Sequence, residues 1–128
     1  MRERDIEEWL VRQVRELGGI ADKFVSPGNP GVPDRLIIIP GGHVIFVELK
    51  TEIGRMSNIQ KWQRERYRKM GADFRIIKGK KEAEEFINEI RAARLSENSI
   101  SEDNGDQEGR TVLTDGTGKN GSNPVSDQ

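Results

Sequence analysis

Apolar residues along the chain follow two spacings, one typical of helices and the other typical of strands. Near the N-terminus they recur every third or fourth position, at Ile6, Trp9, Leu10, Val14 and Leu17. Because about 3.6 residues make one helical turn, this spacing predicts an amphipathic helix over residues 4–17. The pair Gly18 and Gly19 predicts where that helix ends.

Short segments rich in β-branched and aromatic residues predict four strands, over residues 20–26, 34–39, 43–50 and 72–78. Turn-forming residues at 27–33 separate the first strand from the second. The second and third strands are separated only by Pro40, Gly41 and Gly42. A connection this short favours a hairpin, so these two strands are predicted to run antiparallel.

Two further helices are predicted in the second half of the chain. Ser57 with Gln60 three residues later is typical of a capping box, and the helix that it opens is expected to run to about Met70 and end at Gly71. A last helix over residues 82–94 is indicated by an apolar stripe of Phe86, Ile87 and Ile90.

The predicted order of elements is α-β-β-β-α-β-α. It contains a strand, helix, strand unit, and the two strands of such a unit normally lie parallel in one sheet. Since the preceding hairpin is antiparallel, we expect an α/β fold with a mixed sheet flanked by helices.

The composition changes at Ser96. Residues 96–128 are rich in Ser, Asn, Gly and Asp and carry seven acids against two bases, whereas residues 1–95 carry 19 bases and 15 acids. The later segment holds too few apolar residues to offset the entropy of ordering it, so we predict one domain over residues 1–95 and an acidic, disordered tail over 96–128. The net charge of +4 on the domain permits a phosphate-backbone partner without requiring one.

Several classes of protein are disfavoured by the sequence. The chain has no cysteine, which excludes a disulfide framework and a thiolate metal site. Its N-terminus is charged from the second residue, and no apolar run approaches membrane-spanning length. We therefore expect a soluble, cytoplasmic protein with no membrane partner.

Charged residues stand at the ends of the predicted hairpin. Asp34 opens its first strand, and Glu48 and Lys50 close its second. Residues two apart in a strand point to one side, so Glu48 and Lys50 share a face. Asp34 joins them only if the numbers of paired residues add up to an even value such as 82 or 84, because a sum of 83 turns it to the other face. An even sum requires an odd loop, such as residues 40–42 or residues 41–43.

Two carboxylates and an ammonium group on one patch are suited to phosphodiester hydrolysis. Carboxylate oxygens are ligands for Mg²⁺, which takes one or two of them together with substrate phosphates. A nearby lysine can orient the attacking water or stabilise the transition state. The alternative is that these charges are solvated residues at strand ends. Against this alternative, the residues from Val44 to Val47 are apolar on both faces of the strand, which predicts that both faces are covered. Glu48 would then be partly buried, where an acid without a partner costs free energy.

Other polar and aromatic residues have open or structural interpretations. Glu3 lies on the stripe of the first helix, but an acid in the first turn is also favoured by the helix dipole alone. Glu7 lies beside that stripe. His43 is interpreted as a turn residue, and Trp9 and Trp62 are predicted to pack in the core rather than to stack on bases.

At these residues the sequence resembles a known family. Gly-Val-Pro-Asp at 31–34, Val-Glu-Leu-Lys at 47–50, the Glu-bearing first helix and Met-Ser-Asn-Ile-Gln-Lys-Trp at 56–62 resemble the virus-type replication-repair nuclease (VRR-NUC) domain of the PD-(D/E)xK nuclease superfamily. The resemblance covers nearly all of residues 1–90, and it is strongest to the stand-alone phage versions.

The resemblance implies a restriction-endonuclease-like α-β-β-β-α-β core and a DNA endonuclease that depends on Mg²⁺ or Mn²⁺. It implies that Asp34 and Glu48 bind the metal, with the carbonyl of Leu49 as a further ligand, and that Lys50 is the catalytic lysine. Two more family positions are matched less firmly: the helix-one acid by Glu3, or else Glu7, and the glutamine by Gln60. Gln60 has a competing structural role in the capping box.

The predicted helix at 57–70 is basic over most of its circumference. Beside a nuclease site, it and neighbouring bases become a candidate DNA-binding surface, made of Arg35, Arg55, Lys61, Arg64, Lys78 and Lys80. We expect branched or structured DNA as the substrate and a homodimer as the assembly, since duplex cleavage needs two sites. The alternatives are a non-catalytic DNA-structure-binding module and an interaction protein acting through its acidic tail.

Overall fold

The computed structural model describes the backbone of residues 2–103 and the side chains of residues 2–96. Its elements are α1 (Glu3–Glu16), β1 (Ile20–Lys23), β2 (Arg35–Ile39), β3 (His43–Lys50), α2 (Asn58–Lys69), β4 (Asp73–Lys78) and α3 (Gly79–Asp103). This is the order of elements that the sequence pattern predicts.

The four strands form one sheet in the order β1-β2-β3-β4. The first two pairs are antiparallel and β3 pairs with β4 in parallel, so the predicted mixed sheet is confirmed. The central strand β3 is therefore flanked on both sides and connected to β4 through α2.

One face of β3 is buried from Ile45 to Leu49. On the other face Glu48 is buried and Phe46 is partly buried, but Val44 is 38% exposed, so the cover on both faces that the sequence predicts holds only for the second half of the strand. On one face Ile45, Val47 and Leu49 are at most 2% exposed and belong to the main apolar core. That core also contains side chains from two helices: Ile6, Leu10, Val11 and Val14 of α1, and Ala83, Phe86, Ile87 and Ile90 of α3. On the other face Phe46 meets Tyr67 of α2 edge-to-face, with ring centroids 4.9 Å apart.

The hairpin register satisfies the condition set by the sequence. Arg35 pairs with Val47 and Ile39 with His43, which leaves a three-residue loop at 40–42. Gly41 and Gly42 within it have φ of 104° and 91°, in the left-handed region that glycine adopts without strain. Extended by one position, this register sets Asp34 opposite Glu48, so the odd-loop prediction is confirmed.

The boundaries of two elements differ from the predictions by more than one residue. Strand β1 ends at Lys23 because the chain turns soon after it, where the Asn29 N–H donates to the Ser26 carbonyl. Helix α3 begins at Gly79, where a φ of 81° lets the chain leave β4 directly, and the Glu82 carboxylate accepts the Lys78 N–H at 2.7 Å.

Helix α3 also extends further than predicted, to Asp103. The sequence between residues 94 and 103 contains no glycine or proline to end it. Residues 96–103 are thus helical rather than irregular, and disorder of the remaining tail is a prediction that lies outside the described residues. Residues 1–91 form the compact unit that contains the sheet.

The two tryptophans have different environments. Trp9 packs against the core as predicted. Trp62 does not: it is 56% exposed, and the Arg66 guanidinium lies 5.3 Å from its ring centroid. The core prediction for Trp62 is wrong because the side of α2 that faces the sheet carries Gln63 and Tyr67 instead.

Within the described residues, no helix is long and apolar enough to cross a membrane.

The capping box of α2 gives a testable contribution to stability. Ser57 accepts the Gln60 N–H at 3.2 Å, and the Gln60 side chain accepts the Ser57 N–H at 2.9 Å. Replacing Ser57 with Ala should lower the free energy of unfolding by about 1 kcal/mol, measured by urea denaturation. Ser96→Ala, at an exposed position of α3, is the matched control and should not lower it. Equal effects of the two substitutions would contradict a capping role.

Candidate active site

Asp34 is held in place by backbone groups on two neighbouring strands. It directly precedes β2, and its Oδ2 accepts the Leu49 N–H of β3 at 2.8 Å. Its own carbonyl accepts the Phe24 N–H, just after β1, at 3.0 Å. The carboxylate of Asp34 is therefore fixed beside the end of β3 that carries Glu48 and Lys50.

Glu48 is a buried carboxylate with one oxygen paired and one not. Its exposed fraction is 2%. Oε2 accepts a hydrogen bond from Gln60 Nε2 at 2.7 Å and lies 3.5 Å from Lys50 Nζ. Oε1 is buried and has no hydrogen-bond partner among the described residues. Because a buried acceptor without a partner is costly, this oxygen fits the position of a cation ligand.

Gln60 combines the two roles that the sequence left open. Its Oε1 closes the capping box on Ser57, and its Nε2 donates to Glu48. One side chain therefore fixes both the start of α2 and the orientation of the Glu48 carboxylate.

Burial raises the pKa of each acid of the site, and the charge of Asp34 raises those of Glu48 and Glu3 further. Burial, reinforced by the charge of Asp34 and opposed by Lys50, raises the pKa of Glu48 to about 7. Burial also raises the pKa of Asp34, against the hydrogen bond from the Leu49 N–H. For Glu3, burial and then the charge of Asp34 raise the pKa. Three acids that disfavour one another's ionisation form a site that a bound cation would stabilise.

Glu3 and Glu7 of the first helix differ in their partners. Glu7 Oε2 is bound by Arg35 Nε at 2.7 Å, and the same guanidinium donates to the Ala21 carbonyl at 3.1 Å. Glu3 is partly buried and lies within electrostatic reach of both Asp34 and Lys50. Of the two acids, Glu3 is thus the one whose carboxylate is not already held by an arginine.

The residues present fit a divalent cation on their donor chemistry. Asp34 and Glu48 supply two carboxylates, and Mg²⁺ commonly takes one or two from a protein and completes its shell with water and phosphate oxygens. No group of three or more histidine or acidic side chains arranged to hold a metal occurs in the described part of the chain. Leu49 is fully buried between Glu48 and Lys50, and its carbonyl as a ligand stays a prediction.

A basic cleft of about 630 Å³ opens beside Lys50. Its lining includes bases from three separate parts of the chain, namely Arg55, Lys61 and Arg64, and Lys78 at the end of β4, with Glu52 as its one acid. The cleft thus gathers four of the six bases that the sequence predicts to bind DNA.

The other two bases predicted to bind DNA, Arg35 and Lys80, have partners within the protein. Arg35 has a side chain only 15% exposed and is committed to Glu7 and a backbone carbonyl. Lys80 lies over the Trp9 ring, 4.6 Å from its centroid, and pairs with Glu84 at 3.6 Å. Neither lines the cleft, and sequence proximity to basic neighbours could not reveal these intramolecular partners.

Sequence reasoning missed Gln63. It is 1% exposed, one of two buried polar or charged residues in the described chain, the other being Glu48. Its only sequence signal is its position three residues after Gln60, which places both side chains on the same side of α2.

Two comparisons with known proteins find chains similar to this one. A solved structure described as "VRR_NUC domain" matches with a TM-score of 0.64 and 31% identity, over 67% of this chain and 94% of that chain. "Putative nuclease p44" of Acyrthosiphon pisum secondary endosymbiont phage 1 is 62% identical over 50 residues, which are 39% of this chain. The match spans about half, 54%, of that curated relative. No protein-family model matches the chain.

The burial of Glu48 predicts how stability depends on pH in metal-free protein. A carboxyl whose pKa is raised from 4.5 to about 7 by folding destabilises the fold as pH rises through that interval. Glu48→Gln removes this cost, so its stability relative to wild type should improve from pH 4.5 to pH 7 and then level off, by on the order of 1–3 kcal/mol. Urea denaturation in chelator measures it. The exposed Glu85→Gln is the control, and a Glu48→Gln difference that does not change with pH would contradict the burial cost.

Proposed function

Because the chain belongs to the VRR_NUC domain family, we propose that it is a metal-dependent DNA endonuclease whose active centre is formed by Asp34, Glu48 and Lys50. The observation that carries the proposal is the buried, unpaired Oε1 of Glu48 beside a second fixed carboxylate. The similarity to a phage protein named as a nuclease supports the same reaction.

In this proposal Asp34 and Glu48 hold Mg²⁺ or Mn²⁺, with Glu3 adding negative charge nearby. The bound cation supplies positive charge against the phosphodiester and makes water more acidic. Gln60 donates a hydrogen bond of 2.7 Å to Glu48 Oε2, so Oε1 would be the oxygen available to the cation. The Leu49 N–H does the same for one oxygen of Asp34.

Lys50 connects the acidic centre to the DNA surface. Its ammonium lies 3.5 Å from Glu48 Oε2, and its side chain also lines the basic cleft. The Lys50 ammonium at this junction would stabilise the negative charge that develops on the phosphoryl oxygens as water attacks. It would also orient that water through hydrogen bonds. We therefore assign Lys50 as the catalytic lysine.

The basic cleft is the proposed path of the DNA backbone. Arg55, Lys61, Arg64 and Lys78 line it together with Lys50 of the proposed active centre. Lysine and arginine bind phosphates without regard to sequence, so the cleft favours recognition of DNA shape over base identity. We propose branched or structured DNA as the substrate, a homodimer for cleavage of both strands, and a cytoplasmic location.

Loss of the active-centre residues tests the reaction. Lys50→Ala and Glu48→Gln should each reduce cleavage of DNA by at least about 100-fold, because the first removes a positive charge beside the reacting phosphate and the second removes a carboxylate that would hold the cation. The measurement is a panel of linear, flap and four-way-junction DNAs incubated with Mg²⁺, Mn²⁺ or Ca²⁺. Lys23→Ala, an exposed lysine on β1, is the matched control and should cleave like wild type.

Two outcomes of that panel would contradict the proposal. Retained cleavage by Lys50→Ala or Glu48→Gln would remove the assigned centre. Tight binding to a junction without cleavage under any of the three cations would identify the chain as a DNA-structure-binding module instead.

Loss of the cleft bases tests the DNA path. Lys61→Ala and Arg64→Ala together should weaken binding to every DNA in the panel and reduce the slope of log affinity against log salt by roughly one to two units. Fluorescence anisotropy over a salt series measures both quantities. The control pair Lys23→Ala and Arg12→Ala removes one exposed lysine and one exposed arginine elsewhere, and an equal loss of affinity in that pair would contradict a specific path.

A further inference from the structure

Gln63 is a buried polar side chain with both ends engaged. Its Nε2 donates to the Pro30 carbonyl at 2.9 Å, and its Oε1 accepts from Arg66 Nε at 3.1 Å. Arg66 is in turn placed over the rings of Trp62 and Tyr67, at 5.3 and 5.6 Å. The carboxamide therefore has one satisfied orientation, with its N–H group directed at Pro30.

Pro30 belongs to the irregular segment at 27–33 that leads into Asp34. This segment touches α2 at a second point, since a Cβ on Gly31 would lie within 3.0 Å of the Ile59 backbone. Gly31 has a φ of 84°, and Pro33 is fully buried. The chain before Asp34 thus rests on α2 without a strand or helix of its own, and Gln63 provides its side-chain hydrogen bond to that helix.

The same helix holds the other carboxylate. Gln60 donates to Glu48 from one turn earlier on the same side of α2. Two glutamines three residues apart therefore attach a single rigid element to both acid-bearing segments. A shift of the segment before Asp34 relative to α2 would change its distance from Glu48.

We propose that Gln63 is a positioning residue that sets Asp34 relative to Glu48 by tying the segment at Pro30 to α2. The effect of Gln63 on metal binding rests on the proposed function. The effect of Gln63 on the hydrogen bond between Asp34 and the Leu49 N–H does not, and the two effects can be measured separately.

The experiment uses two variants of the full chain with different chemistry. Gln63→Met keeps the volume and removes both hydrogen bonds, whereas Gln63→Glu keeps an acceptor for Arg66 and loses the donor to Pro30. Gln13→Met on α1 is the matched control. Two variants are used because, if Gln63→Met unfolds, a folded Gln63→Glu still allows both readouts to be measured.

The first readout is amide hydrogen exchange by NMR in metal-free protein. Both Gln63 variants should lose at least about tenfold protection at Leu49, whose N–H binds Asp34, relative to Ile45 in the same strand. General destabilisation would speed exchange at both amides and leave their ratio unchanged. An unchanged Leu49 to Ile45 ratio in both variants would overturn the proposal.

The second readout is the Mg²⁺ concentration for half-maximal cleavage. Misplacing one carboxylate of the pair should raise it by about tenfold, and saturating Mg²⁺ should recover most of the maximal rate. An unchanged requirement in active variants would overturn the role in metal placement. Absence of cleavage by wild type would instead refute the proposed function, while the exchange result would still decide whether Gln63 positions Asp34.

Discussion

The burial of the Glu48 carboxylate is the constraint on which the rest of the site depends. A charged group at 2% exposure is stable only with compensating partners. Gln60 and Lys50 supply these to one oxygen, whereas no residue in the described part of the chain supplies one to the other. Burial, together with the charge of Asp34 and against the charge of Lys50, raises the pKa of Glu48 to about 7. A divalent cation would pair with the unpaired oxygen and reduce the repulsion between the carboxylates. The least stable part of the metal-free site is therefore the part that a bound cation would stabilise.

The sheet and α2 create this environment from opposite sides. The three-residue hairpin loop fixes the register that sets Asp34 opposite Glu48, and the parallel pairing with β4 covers the other edge of β3. Helix α2 closes the face above Glu48, with its capping residue Gln60 reaching the carboxylate. Because α2 also carries Lys61 and Arg64, the element that orders the acids is the one that borders the basic cleft. Acid placement and DNA binding therefore share one support.

Much of this could be predicted because it depends on local pattern. The element order follows from apolar spacing and glycine positions, the capping box from Ser57 and Gln60, and the shared face of Glu48 and Lys50 from strand geometry. The family resemblance added the roles, and the solved structure of similar fold supports the family assignment. The face on which Asp34 lies depends on whether the hairpin loop has an odd or an even number of residues. The observed register gives a three-residue loop, which places Asp34 on the face of Glu48.

The features that escaped prediction depend on partners distant in sequence. Arg35 is held by Glu7, which lies 28 residues away, and Lys80 is held over Trp9, so neither lines the cleft. Trp62 has the spacing of a core residue but is exposed, because Gln63 lies on the side of α2 that faces the sheet. The hydrogen-bond partner of Gln63, Pro30, is 33 residues away. No periodicity in one segment encodes such pairings.

The central claim, that Glu48 and Asp34 together form a divalent-cation site, is tested most directly by anomalous X-ray scattering from crystals grown with Mn²⁺. The account predicts a single strong anomalous peak within coordination distance of Glu48 Oε1 and an Asp34 carboxylate oxygen, with Gln60 still bonded to Glu48 Oε2. Manganese bound elsewhere, with Glu48 Oε1 hydrogen-bonded to water or protein alone, would contradict it.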